Sequence, residues 1–368
     1  MLNRTNILLR ILLLIPAGIF GLITGVRNWL YDQGIIASTE FDIPVICVGN
    51  ITVGGTGKTP HVEYLLKILL SEKVRVSAIS RGYRRKTRGF LVVEPVHTAI
   101  DVGDEPCQIA RKFPLVPFAV CSDRVHSIKT LRKLFSETEV VVMDDGFQHR
   151  AVQPGLSIVL MDYNRPIYDD QILPLGNLRE NSRQIHRANV VVVTKCPSDV
   201  KPIDLRIISK RLNLFPYQTL YFTRFTYGVF KNVWTNIQIE IILQGTTPIL
   251  AVAGIAQPKM FFLYLDNMFQ SVEKQTYTDH HQFGETEIWA MARFLELHQD
   301  GYVITTEKDA VRLSGFTTVP EIIRERFLFV PIEVEFLNNG EKSFNKQIVE
   351  YVRKDKRNGI LYQGPRKN

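Results

Sequence analysis

The chain has 368 residues, a length that suggests about two domains. Apolar residues make up 45% of the sequence, which indicates a globular protein with a sizeable core and excludes a disordered one. The net charge of +8 is compatible with a phosphorylated substrate, an anionic membrane or nucleic acid, and does not choose among them. The cysteines are widely spaced without a metal-ligand pattern, so we expect buried free thiols in a reducing cytosol. They are Cys47, Cys107, Cys121 and Cys196.

An uncharged apolar run, Ile11 to Val26, stands near the N-terminus between flanking arginines. It is shorter than the roughly 20 residues that a spanning helix needs, and Pro16 weakens it as a helix. A cleaved signal peptide is disfavoured because no A-x-A site follows. A spanning anchor over residues 6–29, an in-plane or hairpin contact with a membrane, and a buried core helix remain open. We expect that residues 1–30 associate with a membrane.

A glycine-rich loop between a strand and a helix comes next. The apolar strand Val45–Val48 precedes the loop NITVGGTGKTP, and the amphipathic helix Pro60–Glu72 follows it. This order is typical of the phosphate-binding loop of P-loop NTPases, in which glycines let backbone N–H groups approach phosphate oxygens. Lys58 then reaches the outer phosphates, and the Thr59 hydroxyl ligates Mg²⁺. The residues assigned to the nucleotide are Thr52, Val53, Gly54, Gly55, Thr56, Gly57, Lys58 and Thr59.

Strands and helices alternate from Glu40 to about Pro216. The near-continuous apolar strands between amphipathic helices predict a parallel sheet covered by helices on both faces, an α/β fold of the P-loop NTPase type. The other strands are predicted at Val74–Ser80, Leu115–Cys121, Val140–Met143, Leu156–Met161 and Val190–Thr194. The other helices are predicted at Asp104–Lys112, Arg124–Phe135 and Asp204–Asn213.

The character of the sequence changes at Tyr217. Aromatic and polar residues alternate up to Leu243, which predicts a β-ribbon or linker, and a second alternation of strands and helices from Thr247 predicts a smaller α/β domain. The expected parts are a membrane-associating segment (1–30), a P-loop domain (31–216), a β-ribbon linker (217–246), the smaller domain (247–350) and a basic tail (351–368). The tail is expected to be frayed from Lys354. In the smaller domain, strands are predicted at Ile249–Ala253, Val272–Tyr277, Tyr302–Thr305 and Phe327–Val334, and helices at Gln257–Asn267 and Glu285–His298.

Two adjacent aspartates, Asp144 and Asp145, directly follow the strand Val140–Met143. An apolar strand that ends in aspartate is typical of a Walker B element, in which a carboxylate holds Mg²⁺ directly or through water. A solvated turn with Gly146 is the alternative. Since the P-loop is present, we assign the two aspartates, together with Thr59, to the metal.

Further candidates stand where strands end, as open α/β sheets require. Asp104 and Glu105 precede a predicted helix, where a carboxylate can accept a proton from an attacking hydroxyl; the alternative is a pair of acids that complement the helix dipole. Arg124 either contacts phosphate or belongs to a plain helix cap. The triplet Asp279-His280-His281 has poor metal-ligand spacing. One histidine oriented by a carboxylate for proton transfer is the better use, with surface histidines as the alternative.

Eight motifs occur together and in order: VGNITVGGTGKTP, SRGYRR, VGDEP, SDR, MDDGFQH, LPLGNLRE, DHH and TEKDAV. They span residues 48–311, and on these motifs the chain resembles the tetraacyldisaccharide 4'-kinase family. The hydrophobic N-terminal segment also matches that family. Thr52 departs from the glycine of the general P-loop motif but agrees with the family, whose loop has Ser or Thr there.

The resemblance implies a membrane-associated kinase that transfers the γ-phosphate of ATP, with Mg²⁺, to the 4'-hydroxyl of a tetraacylated glucosamine disaccharide 1-phosphate in lipid A biosynthesis. It implies the cytoplasmic face of the inner membrane, a lipid A disaccharide precursor as partner, and no nucleic acid. Asp104 is then the base, helped by His280, with Lys58 also catalytic, and the two domains would close to bring Asp104 and His280 together. The residues expected along the substrate are Glu105, Arg124, Gln148, His149 and Glu180.

Two other functions remain open from the residues alone. The loop GGTGKT also resembles those of membrane-associated P-loop ATPases and GTPases, and Thr194-Lys195 ends a strand as a guanine-binding [NT]-K-x-D element would. The aspartate of that element would have to stand at Pro197, whereas Asp199 comes too late. A non-enzymatic, ATP-dependent membrane scaffold is the second alternative.

Overall fold

The computed structural model describes residues 7–239, 245–316 and 318–361, with side chains for residues 10–354 of these ranges. The strands are β1 (Val45–Asn50), β2 (Val76–Ser80), β3 (Leu91–Val92), β4 (Phe118–Val120), β5 (Val140–Asp144), β6 (Leu156–Asp162), β7 (Val190–Thr194), β8 (Thr219–Tyr227), β9 (Lys231–Asn232), β10 (Ile249–Ala253), β11 (Val272–Thr276), β12 (Tyr302–Thr306), β13 (Phe327–Val330) and β14 (Ile332–Phe336). The helices are α1 (Ile7–Asp32), α2 (Lys58–Ser71), α3 (Ala99–Val102), α4 (Asp104–Lys112), α5 (Arg124–Leu134), α6 (Pro202–Leu212), α7 (Lys259–Met268), α8 (Glu285–Leu297), α9 (Glu307–Leu313), α10 (Glu321–Arg324) and α11 (Gly340–Leu361), with a 3₁₀ turn at Ser182–Arg187.

The described chain forms two compact units that do not follow the predicted boundaries. The first takes residues up to Arg81, Val116–Phe225 and residues from Val334 onward, and the second takes Gly82–Leu115 and Thr226–Glu333. Residues 82–115 therefore leave the predicted P-loop domain, because α4 packs against α9 of the second unit. Residues 334–350 leave the predicted smaller domain, because α11 places Phe344 against Tyr221 of β8.

The first unit is built on a mainly parallel sheet. Its strands lie in the order β14-β8-β7-β6-β1-β5-β2-β4, and the six pairings from β8 to β4 are all parallel. Every residue of β1, β5, β6 and β7 is buried, which requires helices on both faces of the sheet. The predicted α/β fold of the P-loop NTPase type is confirmed.

The second unit holds a smaller sheet, ordered β11-β10-β12-β13-β9, in which β9 is the antiparallel member. Alternate residues of β10 enter two separate cores. Leu250 and Val252 lie in the core that contains Met291 of α8, whereas Ala251 lies in the core that contains Phe261 of α7. The period of two along a strand thus supplies an apolar face to each helix.

The β-ribbon predicted over residues 217–246 is wrong. β8 extends the main sheet parallel to β7, and β9 pairs with β13, while residues 240–244 lie outside the described part of the chain. The single strand predicted over Phe327–Val334 is two strands, because Pro331 lacks the N–H that a continuous ladder needs. The alternation of aromatic and polar residues correctly predicts the strand β8, but it does not show which strand β8 pairs with.

The N-terminal segment is one helix, α1, that continues through Pro16. One of its faces is covered, with Ala17 and Asn28 buried, and the rest is open. Within the described residues, Arg10–Asp32 is long and apolar enough to cross a membrane, judged by length and composition alone. The alternative of a buried core helix is wrong, since nine large apolar side chains of α1 are exposed. They are Ile11, Leu12, Leu14, Ile15, Ile19, Leu22, Ile23, Val26 and Trp29.

Two smaller predictions have opposite outcomes. The four cysteines are buried free thiols, as predicted. The fraying expected from Lys354 is wrong for the part described, because α11 continues to Leu361. Residues 362–368 lie outside the described part of the chain.

Candidate active site

The phosphate-binding loop connects the carboxyl end of β1 to the first turn of α2. Gly54 and Gly57 have φ angles of +92° and +86°, a region that side-chain-bearing residues rarely adopt. A Cβ atom on Gly57 would also lie 2.4 Å from Cζ of Phe225, so this position excludes a larger residue on two grounds. The backbone here has the shape in which successive N–H groups can surround an anion.

Polar side chains from neighbouring strands hold the outside of this loop. Asn50 Nδ2 donates to Thr56 Oγ1 at 3.0 Å, and the Thr194 hydroxyl donates to the Thr56 carbonyl at 2.8 Å. The Lys195 ammonium binds the Gly55 carbonyl and pairs with Asp162 at 2.8 Å. From the sequence, Thr194-Lys195 was interpreted only as an incomplete guanine-binding element. The structure instead assigns these two residues to supporting the loop.

A buried histidine, His61, supports the same loop from α2 and was missed by sequence reasoning. Its Nδ1 lies 2.8 Å from the Gly57 carbonyl and its Nε2 lies 3.1 Å from Thr223 Oγ1. This pattern fits a neutral ring that donates from Nδ1 and accepts at Nε2. Burial lowers the pKa of His61 to about 4, although the bond to Gly57 acts in the opposite direction.

We expect His61 to make the stability of the chain fall in acid. Between pH 6.5 and 4 the unfolded chain binds a proton at this histidine while the folded chain does not, so stability is lost as pH falls through this window. The loss reaches about 3 kcal/mol by pH 4. Urea unfolding between pH 4.5 and 7.5 measures it, and His61→Gln should flatten the slope. His126→Gln, an exposed histidine of α5, is the matched control and should keep the wild-type slope; equal slopes in all three proteins would refute the assignment.

The two predicted metal aspartates stand beside the loop because of strand register. Val48 of β1 lies opposite Asp144 of β5, so both strands end at the same edge of the sheet. Asp145 Oδ1 lies 3.4 Å from Lys58 Nζ and 3.3 Å from Nη1 of Arg179. Burial would raise the pKa of Asp145, but the charges of Lys58 and Arg179 outweigh it and hold the pKa below its usual value. The carboxylate is therefore ionised at neutral pH.

Arg179 was not predicted, although it stands in the LPLGNLRE motif. That segment runs alongside the phosphate-binding loop: Val53 N donates to the Asn177 carbonyl and Arg179 N donates to the Ile51 carbonyl, each at 2.8 Å. These backbone bonds place the guanidinium of Arg179 within reach of Asp145 and, at 3.4 Å, of Gln148 Oε1. The sequence signal for Arg179 was its position two residues after Asn177 in a turn. The sequence did not show that this segment pairs with residues 51–53 of the phosphate-binding loop.

The oxygen atoms available in this site suit a nucleotide and a magnesium ion. Asn50 Oδ1 and Thr52 Oγ1 are buried and make no hydrogen bond within the described chain, so they are available to a ligand or its water. Among the described residues, no group of three or more His, Cys, Asp or Glu side chains is arranged so that it could hold a metal ion by itself. A site with few protein carboxylates is typical of Mg²⁺, which takes its other oxygens from phosphate and water.

Glu180, which was predicted to lie along the substrate, packs against α1 in this structure, and its role toward a substrate stays a prediction. Its carboxylate is fully buried and accepts hydrogen bonds from Asn28 Nδ2 at 2.7 Å and Arg187 Nη2 at 2.9 Å. Arg27 lies 3.7 Å from the same oxygen. Glu180 therefore anchors the C-terminal half of α1 to the segment that carries Arg179.

Arg124, Gln148 and His149 lie together around the aspartates. Arg124 is buried at the start of α5, where the cap is the Asp123 carboxylate, and its backbone N–H lies 3.3 Å from His149 Nε2. Burial lowers the pKa of Arg124, and the charges of Asp144 and Asp145 oppose that effect. Burial and the charge of Arg124 lower the pKa of His149, so the ring is neutral at pH 7. Gln148 Nε2 donates to the Asn50 carbonyl at 2.7 Å.

The second unit brings Asp104 and His280 together. His280 Nδ1 lies 2.7 Å from Asp104 Oδ2, and both residues belong to this unit. The expectation that two domains must close to form the pair is therefore wrong; Asp104 was assigned to the P-loop domain because it follows the first strands in the chain. Burial would raise the pKa of Asp104, but Arg312, with His280 and Lys308, outweighs it and holds the pKa below its usual value.

The sequence neighbours of this pair, His281 and Glu105, contact other residues. His281 Nε2 lies 2.8 Å from Glu287 Oε1, and its ring stacks on Tyr277, so His281 belongs to the packing of α8. Glu105 faces Lys308 at 3.4 Å. Asp104 and His280 line a cavity of about 290 Å³ that also presents Arg84, Lys86 and Tyr83. An acceptor group that enters this cavity meets a carboxylate–imidazole pair.

The comparisons with known proteins agree with this geometry. The sequence profile of the family described as tetraacyldisaccharide-1-P 4'-kinase (LpxK) matches residues 9–353. The tetraacyldisaccharide 4'-kinase of Bacteroides thetaiotaomicron is 44% identical over 352 residues, covering 92% of each chain, and that of Phocaeicola vulgatus is 44% identical over 346 residues, covering 92% of this chain and 94% of the relative.

A solved structure extends the agreement to the fold. The "apo" form of LpxK from Aquifex aeolicus, crystallised in complex with ATP, superposes with a TM-score of 0.75 at 27% identity and covers 94% of this chain and 99% of its own. The family resemblance predicted from the motifs is thus confirmed. On the sequence profile and on relatives 44% identical along nearly their whole length, the chain belongs to the tetraacyldisaccharide-1-P 4'-kinase family.

Proposed function

We propose that this chain transfers the γ-phosphoryl group of ATP to the 4'-hydroxyl of a tetraacylated glucosamine disaccharide 1-phosphate. The observation that carries the proposal is that this member of the kinase family holds both a nucleotide-binding group and a proton-accepting group, one in each unit. One unit holds a phosphate-binding loop with Lys58 and Asp145, and the other holds a carboxylate hydrogen-bonded to an imidazole. Phosphoryl transfer needs charge neutralisation and a positioned proton acceptor more than it needs covalent help.

The first unit supplies the nucleotide side. The N–H groups of the loop and of the first turn of α2 would bind the phosphates, and Lys58 would exchange its contact with Asp145 for phosphate oxygens. Thr59, Asp144 and Asp145 would hold Mg²⁺, which when bound neutralises charge on the phosphates. Arg179 and Arg124 would add positive charge near the transferred group.

The second unit supplies the acceptor side. Asp104 engages His280 through Oδ2 only, and Oδ1 makes no hydrogen bond within the described chain. That oxygen is free to accept the proton of a sugar hydroxyl. Because Asp104 is ionised and accepts from Nδ1, His280 carries a proton on Nδ1. Arg84 and Lys86 in the same cavity suit an anionic substrate.

We further propose that the exposed face of α1 holds the enzyme at a membrane, on the cytoplasmic face where ATP is available. Ile15, Leu22 and Ile23 are 61–72% exposed, and α1 is tied to the first unit through Asn28 and Glu180. An apolar helix face of this kind suits a bilayer or its interface. A membrane-bound enzyme would then meet an acylated substrate in the same layer.

Replacing Ile15, Leu22 and Ile23 by Gln should lower binding to vesicles of phosphatidylethanolamine and phosphatidylglycerol at least about 100-fold. Each of these side chains gains about 1.5–3 kcal/mol on leaving water. Co-sedimentation measures the partition coefficient. The matched control makes the same change at Val96, Leu115 and Ile322, exposed residues of the second unit, and should bind like the wild type. If both triple variants bind equally well, α1 does not hold the membrane.

The alternatives, a P-loop ATPase or GTPase switch and a scaffold, predict different products. Incubation with γ-³²P-ATP, Mg²⁺ and the disaccharide 1-phosphate in detergent micelles should label the lipid, and excess ATP should compete far better than GTP. Label recovered only as inorganic phosphate would indicate a switch, and nucleotide binding without turnover would indicate a scaffold. Family membership along nearly the whole chain favours the kinase.

A further inference from the structure

Arg312 follows the TEKDAV motif, to which the proposed reaction gives no role. It lies on the short helix α9, which begins at the carboxyl end of β12 with the Thr306 hydroxyl as its cap. The side chain of Arg312 is only 2% exposed, and buried arginines are rare unless they are paired. Its two charged partners are carboxylates on different segments: Nη2 donates to Asp104 Oδ2 at 2.6 Å and Nη1 donates to Asp309 Oδ1 at 2.8 Å.

Asp309 is itself immobilised. It is fully buried, accepts from the Gly254 N–H at 2.9 Å and from the Thr306 hydroxyl at 2.6 Å, and leaves only Oδ1 for Arg312. Arg312 Nη1 also donates to the Gly254 carbonyl at 3.2 Å. The guanidinium is thus oriented by the ends of β10 and β12 before it meets Asp104. Because the guanidinium is planar and is held by Asp309 on one side, it can support the carboxylate of Asp104 rigidly on the other.

We propose that Arg312, held by Asp309, is the positioning residue that sets the orientation and charge of the Asp104–His280 pair. This inference rests on the proposed function. Arg312 and His280 both donate to Oδ2 of Asp104, and their nitrogens lie 3.4 Å apart. Two donors on Oδ2 restrict the rotation of the carboxylate, while Oδ1 receives no hydrogen bond within the described chain. They also keep the proton of His280 on Nδ1.

The charged and titratable groups that face Asp104 can be named. Arg312 and Lys308 come from α9, and Arg84 and Lys86 line the same cavity. His280 and Asp279 come from the segment after β11, and Asp279 Oδ2 lies 3.8 Å from His280 Nε2. Arg312 is the strongest of the groups that lower the pKa of Asp104. Its removal therefore raises that pKa, and the acid limb of the kcat profile should move to higher pH.

Arg312→Gln should lower kcat about 100-fold, leave the KM for ATP unchanged, and move the acid limb to higher pH. Arg312→Lys keeps the charge but cannot contact both carboxylates; we expect kcat to fall about 10-fold with the acid limb nearly unmoved. The matched control is Arg326→Gln, an arginine of the same unit that binds main-chain carbonyls of His298 and Gln299, and it should behave like the wild type. Kinetics of lipid phosphorylation in detergent micelles measure all four proteins.

A second readout is independent of turnover. In the chain labelled with ¹⁵N-histidine, the His280 signals should report the Nδ1–H form in the wild type and a mixture of tautomers in Arg312→Gln. Wild-type kcat in Arg312→Lys, or an unmoved acid limb together with an unchanged His280 spectrum in Arg312→Gln, would overturn the inference. If Arg312→Gln does not fold, Arg312→Lys decides alone. A wild-type protein that fails to label the lipid would refute the proposed function instead, since the tautomer measurement needs no substrate.

Discussion

Lys58→Ala should reduce turnover more than about 1,000-fold while the fold is retained. Lys58 stands at the first position of α2, and in the structure its ammonium pairs with Asp145 at 3.4 Å. Its loss removes a positive charge from the place where negative charge develops on the phosphates, and it leaves Asp145 with Arg179 as its remaining cationic partner. The kcat for lipid phosphorylation measures the effect, and thermal unfolding checks the fold.

The control for this prediction comes from the same helix. Lys67 is an exposed lysine of α2, and Lys67→Ala makes the identical chemical change away from the loop. It should keep wild-type kcat. Turnover above a tenth of the wild-type value in Lys58→Ala would show that the loop does not serve the transferred phosphate.

Asp104→Asn and His280→Gln should each lower kcat about 100-fold or more with little change in ATP affinity. The two side chains share one hydrogen bond of 2.7 Å, so either substitution removes the same unit. The double variant should therefore be far less damaging than the product of the two single effects. The kcat values of the two single variants and the double variant give the coupling energy between Asp104 and His280. Glu105 faces Lys308, so Glu105→Ala should lower kcat less than either single variant.

Matched changes elsewhere in the second unit control for charge and for histidine loss. Asp266→Asn removes a carboxylate that pairs with Lys274 on the surface, and His298→Gln removes an exposed histidine. Both should keep wild-type kcat. Fully multiplicative effects in the Asp104–His280 double variant would contradict the view that the two residues act together.

The phosphate-binding loop and the position of the two aspartates proposed for the metal were predictable because each depends on a short contiguous pattern. A strand, a Gly-rich loop and a helix fix the environment of Lys58 locally, and the aspartates follow directly from β5. The structure places both where the pattern indicates. Strand register between β1 and β5 then brings them together without further information from the sequence.

What could not be predicted depends on contacts between distant segments. The sequence places Asp104 among the strands of the first unit, and only the packing of α4 on α9 shows that it belongs with His280 and Arg312. Glu180 has a polar side chain in a motif-rich loop, yet its partners Asn28 and Arg187 bury it. A carboxylate that anchors a helix and one that contacts a substrate have the same local sequence signal.

The choice between the two histidines illustrates the same limit. His280 and His281 are adjacent and equivalent in composition, but His281 stacks on Tyr277 and binds Glu287. Only His280, with a φ of 62°, turns toward Asp104. A left-handed backbone conformation at a residue other than glycine is uncommon, and it is found here at the residue proposed for proton transfer.

The central claim is that the chain phosphorylates one particular hydroxyl of a lipid disaccharide. The most direct measurement is to supply γ-³²P-ATP and Mg²⁺ with either the tetraacylated disaccharide 1-phosphate or its 4'-deoxy analogue, and to locate the new phosphate by mass spectrometry. We predict a labelled 1,4'-bisphosphate from the first acceptor and no labelled lipid from the second. Label on the 4'-deoxy analogue, or ATP hydrolysis with both lipids unlabelled, would contradict the claim.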